Sequence, residues 1–199
     1  MVRNSMMWHN NIFVFDDIIT LEKQEKLKSE MLSNDFSWYY KDDVTNADLN
    51  NYHRRPGFGH VFYADEKQIS SYHKNIIPII MNSCSKIEFH GERRILQGRA
   101  FLQLPLNIPD RDKLDVPHID LSEFKHLVIL YYVTDADGET VIYDNQYDEK
   151  GDVPRFDTLK EKQRVMPKQG RVVLFDGFYW HTAAQPSKGV RCIINYNVI

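Results

Sequence analysis

His118-Ile119-Asp120 sets an imidazole and a carboxylate two positions apart, the spacing at which a β-strand turns both side chains to the same face. A chain of this composition would contain roughly 0.7 such triplets by chance, so the triplet alone says little. His181 changes its weight. It follows the hairpin signal Asp176-Gly177, 61 residues after Asp120, and Arg191 begins the last strand pattern ten residues further on. Two histidines and one carboxylate fill one face of an octahedron and leave three positions open, the donor set of non-haem Fe(II) oxygenases. Those positions suit a bidentate 2-oxo acid and then O2. The planar, always-charged fork of Arg191 suits a carboxylate at the far end of such an acid.

Residues so far apart need a rigid scaffold, and the second half of the chain reads as one. Short strand patterns run over 94–104, 116–120, 126–134, 139–144, 163–167, 171–175, 178–183 and 190–198, punctuated by Asp137-Gly138, Gln169-Gly170, Asp176-Gly177 and Lys188-Gly189. Eight short strands in about a hundred residues predict an all-β sandwich or jelly roll. The run from His126 to Thr134 is apolar on both faces, as a central strand requires. The first half is mixed. Ile12 to Phe15 suits a strand, and Thr20 is placed to cap a helix with Leu27, Met31 and Leu32 on one face. Ile69, Tyr72, Ile76, Ile80 and Cys84 form a second helical stripe, where Pro78 predicts a kink or break. Residues 39–63, centred on Arg54-Arg55-Pro56-Gly57-Phe58-Gly59, read as a long polar loop. The expected organisation is one domain over 1–199, with a helical support region at 1–93 and a jelly-roll core at 94–199. This is a mainly β, α+β fold with the helices packed outside.

Composition sets bounds on function. Lys+Arg 25 against Asp+Glu 28 gives a net charge of -3, which argues against a dedicated nucleic-acid binder. Cys84 and Cys192 fall in apolar patterns without metal-ligand spacing and read as buried thiols of a reducing compartment. No run reaches the ~18 apolar residues of a membrane span. Trp8-His9-Asn10-Asn11 interrupts any leader-like segment. The expectation is a soluble, cytoplasmic protein.

The ordered set of motifs resembles the 2-oxoglutarate oxygenases with a double-stranded β-helix, nearest their prolyl-hydroxylase-like branch. The resembling half of the chain includes "PHIDLSEFKHLVILYYVTDADGETVIYD" and "MPKQGRVVLFDGFYWHTAAQPSKGVRCIINYNV". The resemblance implies iron held by His118, Asp120 and His181, and 2-oxoglutarate held by Arg191. It further implies that Tyr132 bonds the distal carboxylate and that Asn195 lies near the metal. Fe(II), 2-oxoglutarate and O2 are the implied cofactors, with ascorbate as a reductant. Substrate oxidation would be coupled to decarboxylation of 2-oxoglutarate to succinate, with no separate acid–base residue. In one respect the chain departs from that branch. Several prolyl hydroxylases carry a tyrosine on the strand ahead of H-x-D, where this chain reads Phe101-Leu102-Gln103-Leu104-Pro105, with Gln103 the candidate for that contact.

Other features carry less. Asp135-Ala136-Asp137-Gly138-Glu139 lacks the further acidic ligands of a calcium loop and reads as a turn. His9, His53, His60, His73, His90 and His126 show no ligand spacing. Trp38, Tyr39 and Tyr40, with Arg54 and Arg55, suit either a substrate entrance or an aromatic-anchored loop. Residues 145–163 suit either a lid or a plain surface loop. Peptidyl proline or another amino-acid residue is the first expectation for the substrate, and a small metabolite the second. An alkylated base is third, since no second arginine follows Arg191. A jelly roll that binds a metal or sugar without oxidation remains the alternative class.

Overall fold

The computed structural model describes residues 8–44, 54–87, 89, 92–107, 114–149 and 154–199. Among these residues two α-helices and eleven strands follow in the order β1 Ile12–Phe15, α1 Leu21–Met31, β2 Tyr39–Lys41, β3 Gly57–Ala64, β4 Lys67–Gln68 and α2 His73–Lys86. Then come β5 Ile95–Gln103, β6 Leu127–Tyr132, β7 Thr140–Gln146, β8 Glu161–Val165, β9 Val172–Asp176, β10 Tyr179–Ala183 and β11 Arg191–Val198. The large sheet runs β1-β9-β6-β11-β5-β3-β2, with β4 paired to β3, and the small sheet runs β10-β7-β8. Every pairing is antiparallel.

Strand alternation explains the layering. On β6, Leu127, Ile129 and Tyr131 join the cluster that holds Leu27 and Met31 of α1 and Ile76, Ile79 and Ile80 of α2. Val128, Leu130 and Tyr132 point the other way, into a cluster shared with Ile142, Val165 and Tyr179 of the small sheet. Both faces of the central strand are therefore dry, in accord with its unbroken apolar run. Strand β11 alternates in the same way. Cys192, Ile194, Tyr196 and Val198 face the helices, which frees Arg191, Ile193, Asn195 and Asn197 for the space between the sheets. Both cysteines are free and buried, and desolvation pushes their thiols up to about 11 for Cys84 and about 12 for Cys192.

Four local expectations differ from the structure. Residues 39–63 are not simply a loop: β2 and β3 extend the large sheet. Gly57 and Gly59 mask this strand locally, and its pairing with β5 supplies what propensity lacks. Residues 116–120 form no strand; His118 makes a single isolated bridge to His181. Helix α2 runs through Pro78 and starts at His73, so Ile69 lies outside it and 58% exposed. Helix α1 starts as expected, but Thr20 makes no side-chain cap and Leu32 lies beyond the last turn, 43% exposed. The 39–63 and 145–163 readings also touch residues 45–53 and 150–153, and His53 and His90, all outside the described residues. No described helix is long and apolar enough to cross a membrane.

Candidate metal centre

The isolated bridge between His118 and His181 brings the distant motifs together. His118 N–H donates to the His181 carbonyl at 2.9 Å, and His181 N–H to the His118 carbonyl at 3.0 Å. The two rings lie 4.5 Å apart by centroid. One ligand atom from each of His118, Asp120 and His181 falls within 4.8 Å of the others, the only such group of potential metal ligands among the described residues. His118 is on the open side, while His181 and the Asp120 carboxylate are buried.

The surroundings prepare each ligand. His118 Nδ1 lies 3.1 Å from the Val116 carbonyl and His181 Nδ1 3.0 Å from the Tyr179 carbonyl. A carbonyl can only accept, so each neutral ring carries its proton on Nδ1 and keeps the Nε2 lone pair for a metal. Asp120 Oδ2 accepts from Asn195 Nδ2 and Asn197 Nδ2, both at 2.9 Å. Its Oδ1 faces His118 Nε2 at 4.0 Å and accepts a longer bond from Arg99 at 3.3 Å. Burial opposes ionisation of Asp120, but the attraction of the His181 ring whenever it is protonated, the Arg99 guanidinium, a protonated His118 and the Asn197 bond outweigh it, and the carboxyl is held well below its usual range. Burial, aided by repulsion from His118, lowers His181 to about 4 against the pull of Asp120. A ring that stays neutral, a tautomer with Nε2 free and an ionised carboxylate with one committed oxygen together fit a divalent first-row metal.

A cavity of about 180 Å³ leads from this group to Arg191, lined along the way by Leu130, Thr140, Ile193 and Asn195. Arg191 is 3% exposed. Its Nε donates to the Gly138 carbonyl at 2.8 Å, and its two terminal nitrogens donate to Gln103 Oε1 at 3.0 Å and Thr140 Oγ1 at 2.9 Å. Three of its five protons are thereby spent on orientation. Gly138 is obligatory there, because a Cβ would sit 2.4 Å from the Ala184 carbonyl oxygen. The turn reading of 135–139 thus gains a role: Asp137 accepts from Ser187 and Lys188, and Gly138 steers the arginine.

Tyr132 does not line the cavity. Its hydroxyl donates to Thr140 Oγ1 at 2.8 Å, and Thr140 lines the wall in its place. Asn195 does line the cavity, with its Oδ1 buried and without a partner. Gln103 reaches the arginine end, not the metal end, and joins Arg191 to Asp115 at 3.0 Å. Burial pushes Asp115 up to about 6, opposed by the Gln103 bond and by Arg55 and Arg191. Arg55 is buried 3.4 Å from Asp115, so it is part of the cavity's support. Trp38 bonds the Met31 carbonyl at 2.8 Å and anchors its segment, whereas Tyr39 and Tyr40 are exposed. Arg99, Asn197 and Thr140 are the site residues that sequence reasoning missed. Asn197 shares the Asn195 face by alternation, which was a usable signal, whereas Arg99 and Thr140 stand on strands whose register no local pattern reveals.

No protein-family model and no curated protein matches the chain. Solved structures do. The chain is similar to the non-haem α-ketoglutarate-dependent epimerase SnoN of nogalamycin biosynthesis, at 12% identity and a TM-score of 0.64, over 94% of this chain and 78% of that one. It is similar to a prolyl hydroxylase from Trichoplax adhaerens, solved with a hypoxia-inducible-factor peptide, at 13% identity and a TM-score of 0.61, over 96% and 84%. A 2OG-Fe(II) oxygenase-family protein from Burkholderia pseudomallei superimposes with a TM-score of 0.64 at 9% identity, over 94% and 84%. At such identities the likeness is one of fold. The chain has the fold of the 2OG-Fe(II) oxygenases, prolyl hydroxylases among them.

Proposed function

We propose that this chain is an Fe(II)- and 2-oxoglutarate-dependent dioxygenase acting as one domain over 1–199, built on a double-stranded β-helix. The observation that carries the reading is a single cavity with His118, Asp120 and His181 at one end and the buried fork of Arg191 at the other. A plain binding module has no use for an arginine buried and aimed in this way.

Each wall residue has a task. His118, Asp120 and His181 would hold Fe(II), which when bound supplies the open positions for 2-oxoglutarate and O2 and the oxidising chemistry that follows. Arg191 keeps two protons for the distal carboxylate of 2-oxoglutarate. Thr140 Oγ1 accepts from Tyr132 and from Arg191, which leaves the Thr140 proton for the same carboxylate. Tyr132 then acts through Thr140, and Asn195 acts beside the metal with its unpartnered Oδ1. Leu130 and Ile193 keep the middle of the cavity dry.

Peptidyl proline or another amino-acid residue is the substrate we favour, and a small metabolite stands second. The fold neighbours include both a peptide-bound hydroxylase and an enzyme of small-molecule biosynthesis. The test is anaerobic addition of Fe(II) and 2-oxoglutarate to the apo-protein, read as the visible charge-transfer band of a chelated 2-oxo acid. The band is expected in the wild type, absent in His181→Ala, and shifted to much higher 2-oxoglutarate concentration in Arg191→Ala. A wild-type sample without the band overturns the oxygenase reading and leaves a metal- or sugar-binding fold.

A further inference from the structure

A second hollow, about 630 Å³, adjoins the metal cavity and shares two wall residues with it, Arg99 and Phe101. Register explains the continuity. Val61 of β3, Arg99 of β5, Asn195 of β11 and Leu130 of β6 lie on one line across the large sheet, and Gly59, Phe101 and Ile193 lie on the next. The inner face that holds the metal ligands' partners therefore continues outward to β3, where the small sheet no longer covers it.

Two cations line it, Arg99 and Lys41. The Arg99 guanidinium lies 5.5 Å over the Phe101 ring, and its Nε is buried without a hydrogen-bond partner. Lys41 lies across Gly59, directly opposite Phe101 in register. A Cβ on Gly59 would stand 2.9 Å from Lys41 Cε, so the missing side chain makes room for the lysine stem. Among the described residues, no Asp or Glu lines this hollow. Asp120 is the carboxylate recorded against Arg99 among the described residues, through one terminal nitrogen at 3.3 Å, and Asp120 is already committed to two asparagines and the imidazoles. A metal on Asp120 would draw that charge away further, leaving the guanidinium to seek another anion.

We propose that this hollow is the substrate subsite and that it selects a carboxylate-bearing substrate, gripped by Arg99 and Lys41 beside Phe101. This rests on the oxygenase reading for the cavity next door. The carboxylate can belong to an acidic side chain near the target residue of a peptide or to a free small acid, and the fork of Arg99 accepts either.

The test is calorimetric titration of the full chain with two matched pairs of probes. One pair is acetyl-Gly-Glu-Pro-Glu-Gly-amide and its Gln-for-Glu analogue; the other is N-acetylglutamate and N-acetylglutamine. At least one acidic probe is expected to bind about tenfold more tightly than its neutral partner, with affinity falling as salt rises. Lys41→Gln and Arg99→Gln should each weaken it by roughly threefold or more. Lys41 is exposed and touches no proposed metal ligand, so its variant folds even if Arg99→Gln does not. It also separates this subsite from Arg191, which an acid could otherwise occupy. Whichever pair shows the preference identifies the source of the carboxylate. Equal binding of acidic and neutral probes, binding indifferent to Lys41→Gln, or no acidic binding at millimolar concentration overturns the proposal. A charge-transfer band without acidic selectivity sinks this subsite alone, whereas selectivity without the band sinks the oxygenase reading alone.

Discussion

The Asp120 carboxylate shows how much of the candidate centre is set by groups outside the His118, Asp120 and His181 triad. Its Oδ2 is saturated by Asn195 and Asn197, and Asn197 is itself held by Gln97 at 2.6 Å. The oxygen left for coordination is therefore Oδ1, and its direction depends on two amides. Substituting Asn197 by Ala leaves Oδ2 held by Asn195 alone, so the carboxylate can turn and Oδ2 can compete for an added metal. Loss of such an outer partner typically costs about 10- to 100-fold in metal affinity. Titration of the apo-protein with Mn(II), followed by electron paramagnetic resonance, should show a loss of that order in Asn197→Ala with the far-ultraviolet circular dichroism unchanged. Unaltered affinity would mean that Asn195 and Arg99 suffice to orient the carboxylate without Asn197.

At the scale of elements, glycines mark where strands must approach other groups. A Cβ on Gly98 would fall 2.3 Å from the Tyr196 ring. That ring cannot yield: it is fully buried, lies 6.2 Å from Phe62 in a stacked pair, and bonds His73 through its hydroxyl at 2.9 Å. Gly98→Ala should therefore overpack the β5–β11 pairing and destabilise by roughly 1–3 kcal/mol, read as a lower midpoint in urea with an unchanged slope. Gly177 plays a related part in the turn before β10, where a Cβ would meet His126 Nε2 at 2.0 Å. The turn that presents His181 is thus moulded on a buried histidine outside the His118, Asp120 and His181 group. At the opposite edge, Asp16 fastens the end of β1 to the large sheet through Arg171 and Lys168. Those two cations hold its carboxyl down to about 2.

For the whole molecule, the cavity between the sheets is where folding and binding meet. A ligand that binds only the folded state adds stability by mass action, about 2.7 kcal/mol at a hundredfold excess over its dissociation constant. For a chain of this size each kcal/mol raises the melting temperature by roughly 2–4 °C. Scanning calorimetry should show such a rise when 2-oxoglutarate is added to the wild type already saturated with metal, and most of that rise should be lost in Arg191→Gln. A rise that survives the substitution would place the co-substrate elsewhere in the molecule.

The parts of this protein that its sequence determines alone are those whose signal is periodic or chemical. The apolar run of β6, the alternation of β11 and the hairpin glycines follow from side-chain direction, which acts over a few residues, and the candidate set His118, Asp120, His181 and Arg191 stands out by donor chemistry and order alone. The tertiary structure decided the rest. It recruited β2 and β3 to the large sheet, carried α2 through Pro78, put Thr140 where Tyr132 was expected, and set Arg99 against Asp120 and Phe101. Each of these depends on which strands become neighbours and in what register. That choice is made by burying whole faces at once, so residues 99, 140 and 197 acquire their partners only when distant segments close the same cavity.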